Sequence, residues 1–240
     1  MCFHFTITKE RTDIAQIFHA NWEDAGWEPV FHADGFSFPS MPVITQEAPC
    51  SISRFNWGLI PPWIKNHADA QIIRAQTLNA RAETIFEKPS FRQAILHQRC
   101  LVIADGFFEW MEFQKKKYPH YIFLKDHAVF CFAGLYSHWT DTATGEMISS
   151  FSIITTSANA MMERIHNIKQ RMPVILSPAQ WSQWLKVDCS PEAIRQLLQP
   201  YPEENMRSHT ISKLISSRMH NSNVPELLEP YMYPELQLLF

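Results

Sequence analysis

Glycine is scarce, with 6 in 240 residues, and none falls in a GxGxxG or GxxxxGK run, so the phosphate-cradling loops of nucleotide-binding folds are absent. Neither an HExxH zinc motif nor a GxSxG nucleophile elbow occurs. The five cysteines, at positions 2, 50, 100, 131 and 189, are odd in number and form no CxxC pair. That argues against a disulfide framework and against a cysteine-rich zinc site. No apolar run approaches the roughly 20 residues that span a bilayer, and no signal-peptide pattern opens the chain. The expectation is a cytoplasmic protein, reduced inside, with no metal, no other cofactor and no membrane partner. A dominant charge is missing as well: 21 Lys and Arg against 24 Asp and Glu leave a net charge of −3. Such a balance is wrong for a protein that coats nucleic acid indiscriminately, because that binding is mostly phosphate neutralisation, yet it leaves room for one basic groove.

What is present suits a compact globular chain: 46% hydrophobic residues, 19% charged residues and 16 prolines. The opening Cys2 to Ile7 reads as a strand, followed by a short helix over Asp13 to Trp22. Pro29 to Pro49 reads as strand and loop, and Ser53 to Leu59 as a strand closed by Pro61-Pro62. Asp69 to Leu78 is ambiguous, whereas Ser90 to His97 predicts a short helix. Cys100 to Ala104, Phe107 to Trp110, Tyr121 to Leu124, Val129 to Tyr136 and Ser149 to Thr155 form a strand-rich middle, with Lys115-Lys116-Lys117 as a hairpin tip. Ala158 to Ile165 predicts a helix with Thr156 or Ser157 as N-cap. Pro178 to Leu185 and Pro191 to Leu198 open with proline where a missing N–H costs nothing. The pattern predicts one α/β (mixed α+β) domain over residues 1–240, its mostly antiparallel sheet curling around a core between helices. Residues 201–240 form a less regular C-terminal extension in which Ile211 to Leu214 is a short strand or helix and Leu236 to Phe240 docks on the core.

Several residues offer chemistry. If Met1 is removed, Cys2 presents an α-amine with a pKa of about 7.7–8.0 and a thiol of about 8.5 on adjacent carbons. Such a 1,2-aminothiol can take an aldehyde as a Schiff base and then close a thiazolidine; the other reading of Cys2 is a small apolar residue that starts a strand. Asn79 and Arg81 share one face of an extended segment and could hold a polar ligand, or could belong to a surface turn with Glu83. Glu109, among Phe107, Phe108 and Trp110, exchanges protons near neutrality if its surroundings are dry, or is a strand-edge acid in water. Trp110 and Phe107 themselves read as core. His166 has the pKa of a proton carrier, and Arg171 beside a proline-fixed turn is a phosphate candidate, against the alternative of a lone surface histidine. Trp57, Pro61, Pro62 and Trp63 make a stiff aromatic corner, either a stacking platform for bases or part of the core. Charge asymmetry is expected, with Arg74, Arg81, Arg164, Lys169, Arg171 and Arg218 on one face and Glu203, Glu204, Glu226 and Glu229 elsewhere.

Taken together, Met1-Cys2, Trp57-Gly58-Leu59-Ile60-Pro61, Asn79-Ala80-Arg81-Ala82-Glu83-Thr84, Arg99-Cys100-Leu101, Asp105-Gly106-Phe107-Phe108-Glu109-Trp110 and Arg171-Met172-Pro173-Val174-Ile175-Leu176 resemble the SRAP family of SOS-response-associated peptidases, which sense abasic sites. The resemblance runs from Met1 to about Leu185. It implies a barrel-like sheet, a positively charged channel for single-stranded DNA, removal of Met1 by self-processing, and a thiazolidine crosslink between Cys2 and the abasic aldehyde. Carried over to this chain, Asn79 positions the α-amine, Glu109 shuttles protons, and His166 helps to open the deoxyribose. His4, Trp63, Arg81 and Arg171 contact DNA, with Thr155 and Thr156 lining the channel. The implied partner is single-stranded DNA containing abasic sites, bound by a monomer with no obligate protein partner. Two other functions stay open on the sequence: a non-covalent single-strand binding module, and a cysteine peptidase acting on other proteins. Two departures stand out. The family begins Met-Cys-Gly-Arg where this chain has Phe3 and His4, and four residues, Asn167 to Gln170, separate His166 from Arg171 where the family leaves one.

Overall fold

The computed structural model describes residues 2–22, 24–217 and 219–239. In chain order the elements are β1 (His4–Ile7), α1 (Arg11–Phe18), β2 (Val30–Asp34), β3 (Ser40–Thr45), β4 (Ile52–Trp57), α2 (His67–Gln76), β5 (Asn79–Arg81), α3 (Ala94–His97), β6 (Arg99–Ala104), β7 (Gly106–Phe113), β8 (Lys116–Leu124), β9 (Phe130–Thr140), β10 (Met147–Ser157), α4 (Ala160–Ile165), β11 (Arg171–Pro173), β12 (Ile175–Leu176), α5 (Pro178–Leu185), α6 (Pro191–Leu197) and β13 (Met206–Thr210). Two sheets result. In one, β4, β3, β6, β9 and β10 pair in that order and β10 returns to β4, closing a five-stranded barrel; β5 and β11 join β10, and β12 joins β9. The other runs β13-β8-β7-β1-β2. Only β4 and β5 run parallel to their partner β10, so the mixed, mostly antiparallel, barrel-like α/β domain expected from the strand spacing is what forms.

Strand β1 joins the two sheets. Phe5 is fully buried, its ring centroid 5.0 Å from that of Trp57 and 5.8 Å from that of Phe132, and Phe107 meets Phe132 from the neighbouring strand at 5.9 Å. Each such aromatic buries a large apolar area, and truncating one costs about 3–5 kcal/mol. A polar clamp fixes the same strand. Buried Asp105 accepts hydrogen bonds from Thr6 Oγ1, Thr8 N and Thr8 Oγ1, each at 2.6 Å. The next residue must be glycine for a steric reason, since a Cβ on Gly106 would lie 2.2 Å from the Tyr121 ring.

Arg99 opens β6 fully buried, and its charge is met by backbone carbonyls, with its guanidinium 5.8 Å over the Trp184 ring. It donates to Trp184 O at 2.8 Å, to Ile95 O at 2.9 Å and Leu96 O at 2.8 Å, and to Lys186 O. These carbonyls lie at the ends of α3 and α5, where a cation also opposes the negative pole of the helix dipole.

Element boundaries depart from the sequence reading where packing or capping overrides periodicity. Helix α1 ends at Phe18 because His19 turns left-handed (φ 48), and Trp22 packs on Trp27 instead of extending the helix. The ambiguous stretch before Asn79 is helical, with Asn66 Oδ1 capping the Asp69 N–H at 2.9 Å. Helix α4 takes Asn159 as N-cap, not Thr156 or Ser157, because β10 runs on to Ser157 and the Thr156 hydroxyl donates to Leu198 O. The Lys115 region is a hairpin tip as expected, with Gln114 and Lys115 both at positive φ between β7 and β8. After residue 200 the chain forms β13 and short 3-10 turns over Lys213–Ser216, Pro225–Leu228 and Pro234–Leu239. Ile211, Ile215 and Leu227 cover Phe108 and Tyr121, and Leu236 packs with Tyr233 against Met111 and Tyr118. Phe240 lies outside the described residues.

Candidate active site

Cys2 precedes β1 and is fully buried. Asn79 opens β5, placed by parallel pairing of β5 with β10 in the register Asn79 to Ile153. Its side-chain Nδ2 donates to the Cys2 carbonyl at 2.8 Å, while its Oδ1 is buried and has no hydrogen-bond partner among the described residues. The amide therefore fixes the backbone of residue 2 and keeps an acceptor in reserve. Glu109 comes from the middle of β7, and His166 from the end of α4. Their closest atoms, Glu109 Oε2 and His166 Nε2, are 3.7 Å apart, near enough to sense each other's charge but too far for a direct hydrogen bond. His166 Nδ1 lies 2.8 Å from Arg171 O. A carbonyl can only accept, so Nδ1 carries the hydrogen and Nε2 presents its lone pair toward Glu109.

Burial tunes all three ionisable groups. It pushes the Glu109 carboxyl up to about 7, partly opposed by the charge of Lys169. It pushes His166 down to about 4, opposed by the hydrogen bond to Arg171 O and aided by the charges of Lys169 and Arg171. The Cys2 thiol is driven far above its ordinary range by burial and by the neighbouring Glu109 charge. At neutral pH the site thus holds a protonated thiol, a neutral imidazole and a carboxyl close to half-ionised. A cleft of about 390 Å³ opens over this group, lined by Glu109 and His166 together with Phe3, Trp110, Glu112, Lys117, Ile168, Lys169 and Ser216.

The remaining sequence candidates fall in different places. Arg81 is exposed at the end of β5, with Nε 3.8 Å from Glu83 Oε2. Trp63 is 54% exposed, but it lines a separate shallow pocket with Ile64, Ile72 and Ile73, while Trp57 is core. Thr155 and Thr156 point into the fold. Both are buried, Thr155 Oγ1 between Ala80 O and Arg171 and Thr156 Oγ1 on Leu198 O, because β10 is closed over by β5, β11 and the turn after α6. Arg171 is likewise turned inward, pairing with Glu83 and donating to Thr155 O at 2.8 Å. His4 is no standing cation: its Nδ1 lies 2.9 Å from His32 Nε2, its ring meets Trp110 edge-on, and burial lowers its pKa despite Asp34. Nor does the expected basic face assemble as drawn. Arg74 is buried with its guanidinium 4.0 Å above the Phe38 ring, Glu203 sits 3.7 Å from Arg164, and Arg218 lies outside the described residues.

Trp110 corrects the reading in the other direction, since it lines the cleft instead of filling the core. Glu112, two residues on and on the same strand face, shares that wall, and the alternation of β7 was the signal that could have found it. Ser216 and Ile168 carried no sequence signal, since loops bring both to the site. Among the described residues no group of three or more His, Cys, Asp or Glu is arranged to hold a metal ion, and no helix is long and apolar enough to cross a membrane.

Comparison with known proteins accords with this geometry. The family described as SOS response associated peptidase (SRAP) matches residues 1–218. The chain is 38% identical over 236 residues to the abasic site processing protein YoqW of Bacillus subtilis (strain 168), covering 96% of this chain and 100% of that protein. It is 28% identical over 192 residues to the abasic site processing protein HMCES of Xenopus tropicalis, covering 71% of this chain and 55% of that one. An X-ray structure of a protein from Bacteroides thetaiotaomicron superposes with a TM-score of 0.91 at 37% identity, covering 96% of this chain and 100% of the other. With the match extending across both sheets and all four residues of the site, the chain belongs to the SOS response associated peptidase (SRAP) family.

Proposed function

We propose that this protein is a covalent sensor of abasic sites in single-stranded DNA, acting through Cys2 after self-processing has removed Met1. The observation that carries the reading is the meeting of four residues distant in sequence: Asn79 bonds the Cys2 carbonyl, the Glu109 charge reaches the buried Cys2 thiol, and Glu109 and His166 stand 3.7 Å apart lining one cleft. The names of relatives such as YoqW and HMCES, abasic site processing proteins, support the substrate.

Removal of Met1 hydrolyses one peptide bond: water adds to the Met1 carbonyl, Glu109 takes its proton, and that proton passes to the departing Cys2 nitrogen. The freed amine then adds to the aldehyde carbon of the ring-opened sugar, with the Asn79 Oδ1 acceptor available to orient its N–H. Loss of water from this adduct needs an acid, which a carboxyl with a pKa of about 7 supplies at neutral pH. His166, neutral and with its Nδ1 hydrogen on Arg171 O, accepts the C1 hydroxyl proton of the sugar at Nε2 as the ring opens and delivers it to the departing ring oxygen, which becomes the C4′ hydroxyl. The resulting imine is attacked by Cys2 Sγ, whose proton passes through the Glu109 carboxylate to the imine nitrogen, and a thiazolidine closes. A thiol protonated at rest fits this order, with the amine reacting first and the sulfur last.

Intact mass spectrometry tests the proposal. After incubation with a short single strand bearing one abasic site and then denaturation, the protein lacks Met1 and gains the mass of the DNA, and Cys2→Ala abolishes that gain. Processed protein that forms no denaturation-resistant adduct would overturn it.

A further inference from the structure

Of the two arginines that the sequence offered as DNA contacts, Arg171 is turned inward onto Glu83 and Thr155 and Arg81 stands exposed beside Glu83 outside the cleft, while Arg74, expected on the basic face, is buried over the Phe38 ring. The cleft nonetheless contains two carboxyl groups, Glu109 and Glu112, so a phosphodiester entering it requires a compensating cation. Two lysines line the wall. Lys117 stands directly opposite Glu112 in the register of β7 and β8, which matches its charge locally. Lys169 takes part in no salt bridge among the described residues, and its charge reaches both Glu109 and His166, lowering the pKa of each.

Lys169 is also held in position. Asn167 clamps the loop to β7 with both ends of its amide: Oδ1 accepts from Glu112 N at 3.1 Å and Nδ2 donates to Glu112 O at 2.8 Å. Gln170 anchors the other end in a left-handed conformation (φ 49), donating its N–H to His166 O at 2.8 Å and accepting from Ala158 N at 3.0 Å. Only Ile168 and Lys169 lie between these anchors, and both face the cleft. The extra loop residues thus form a rigid wall that carries an exposed ammonium beside the reacting groups.

We infer that Lys169 is a specificity-determining residue that binds the phosphate flanking the abasic residue, presented by a loop that Asn167 clamps to β7. The inference rests on the DNA-binding reading above but not on its covalent step. Binding is therefore measured with a single strand carrying a tetrahydrofuran abasic analogue, which has no aldehyde and cannot crosslink, by fluorescence anisotropy across a salt series. Lys169→Ala is expected to weaken binding about 3- to 10-fold at low salt and to reduce the slope of log affinity against log salt by about 0.7, the value for one phosphate contact on a single strand. Lys169→Arg restores both. Uncharged methylphosphonates on either side of the analogue abolish the difference between wild type and Lys169→Ala. Equal affinity and slope for wild type and Lys169→Ala, or a difference that survives the methylphosphonates, would overturn the inference, as would wild-type protein that fails to bind the strand. Wild type that binds the analogue strand with these differences yet forms no adduct with a true abasic strand refutes only the covalent function.

Discussion

Asn79 donates from its side-chain nitrogen to the backbone carbonyl of Cys2 across 2.8 Å, a contact between residues 77 apart in sequence that fixes the proposed nucleophile against β5. Asn79→Ala removes this tie and the unpartnered Oδ1 together. The rate of crosslinking to abasic single strands is expected to fall about 10- to 100-fold, equivalent to about 1.4–2.7 kcal/mol of transition-state stabilisation. Denaturing gels of quenched time points measure it, with circular dichroism confirming the fold; an unchanged rate would refute the positioning role.

The pH dependence of the same rate reports Glu109. The α-amine must be neutral to attack, giving a limb that rises toward about pH 8. The carboxyl must be protonated to expel water, giving a limb that falls above about 7. The profile is a bell, and Glu109→Gln lowers it while removing the falling limb.

Stability carries the matching sign. A carboxyl with a raised folded-state pKa stabilises the fold fully below its unfolded value of about 4.3, and that contribution is lost as pH rises through about 7. Glu109→Gln is expected to stabilise the protein at pH 8 by on the order of 3 kcal/mol and at pH 5 by no more than about 1 kcal/mol, as read by chemical denaturation. His166 acts in the reverse direction, its lowered pKa contributing stability above about 6.5 that is lost as pH falls toward 4.

Arg99 predicts a structural lesion. Arg99→Met leaves the carbonyls of Ile95, Leu96, Trp184 and Lys186 without their donor in a dry setting and is expected to cost about 3–5 kcal/mol. Arg99→Lys recovers less than half, because one ammonium cannot span two helix ends. Urea midpoints distinguish these outcomes.

Asp105 predicts a local one. In Asp105→Asn an amide N–H faces the donors at Thr6 and Thr8, so hydrogen exchange at residues 4–8 should accelerate, with a global loss of about 1–3 kcal/mol. Unchanged exchange there would show that the aromatic packing of Phe5 suffices to hold the strand.

Strands β1, β4, β6, β7, β8, β9 and β10 were legible because their apolar patterning is strong, whereas the short β11 and β12 and the polar β13 were not, and the four candidate site residues were legible as members of motifs whose family they resemble. What escaped was pairing across long separations. Nothing near Arg171 indicates that Glu83, 88 residues earlier, occupies its guanidinium, and nothing near Thr155 and Thr156 indicates that β10 is covered by partners on both edges. Hydroxyls that suit a channel also suit a barrel wall, and only topology separates the two. The surroundings of His4 were hidden for a related reason, since its ring neighbour His32 arrives on β2 through a register that the sequence does not display.

Strand β1 lies inside its sheet, flanked by β2 and β7, with Phe5 wedged among Trp57 and Phe132 and Asp105 clamping the strand from below. Cys2, the proposed nucleophile, is therefore not carried on a loose end. Its reach and orientation are set by the same packing that sets global stability, and no local opening short of unfolding β1 can release it. Crosslinking competence and the folded state should then be lost over one common denaturant range, which makes adduct yield an assay of nativeness and denies this protein a partly melted yet reactive form.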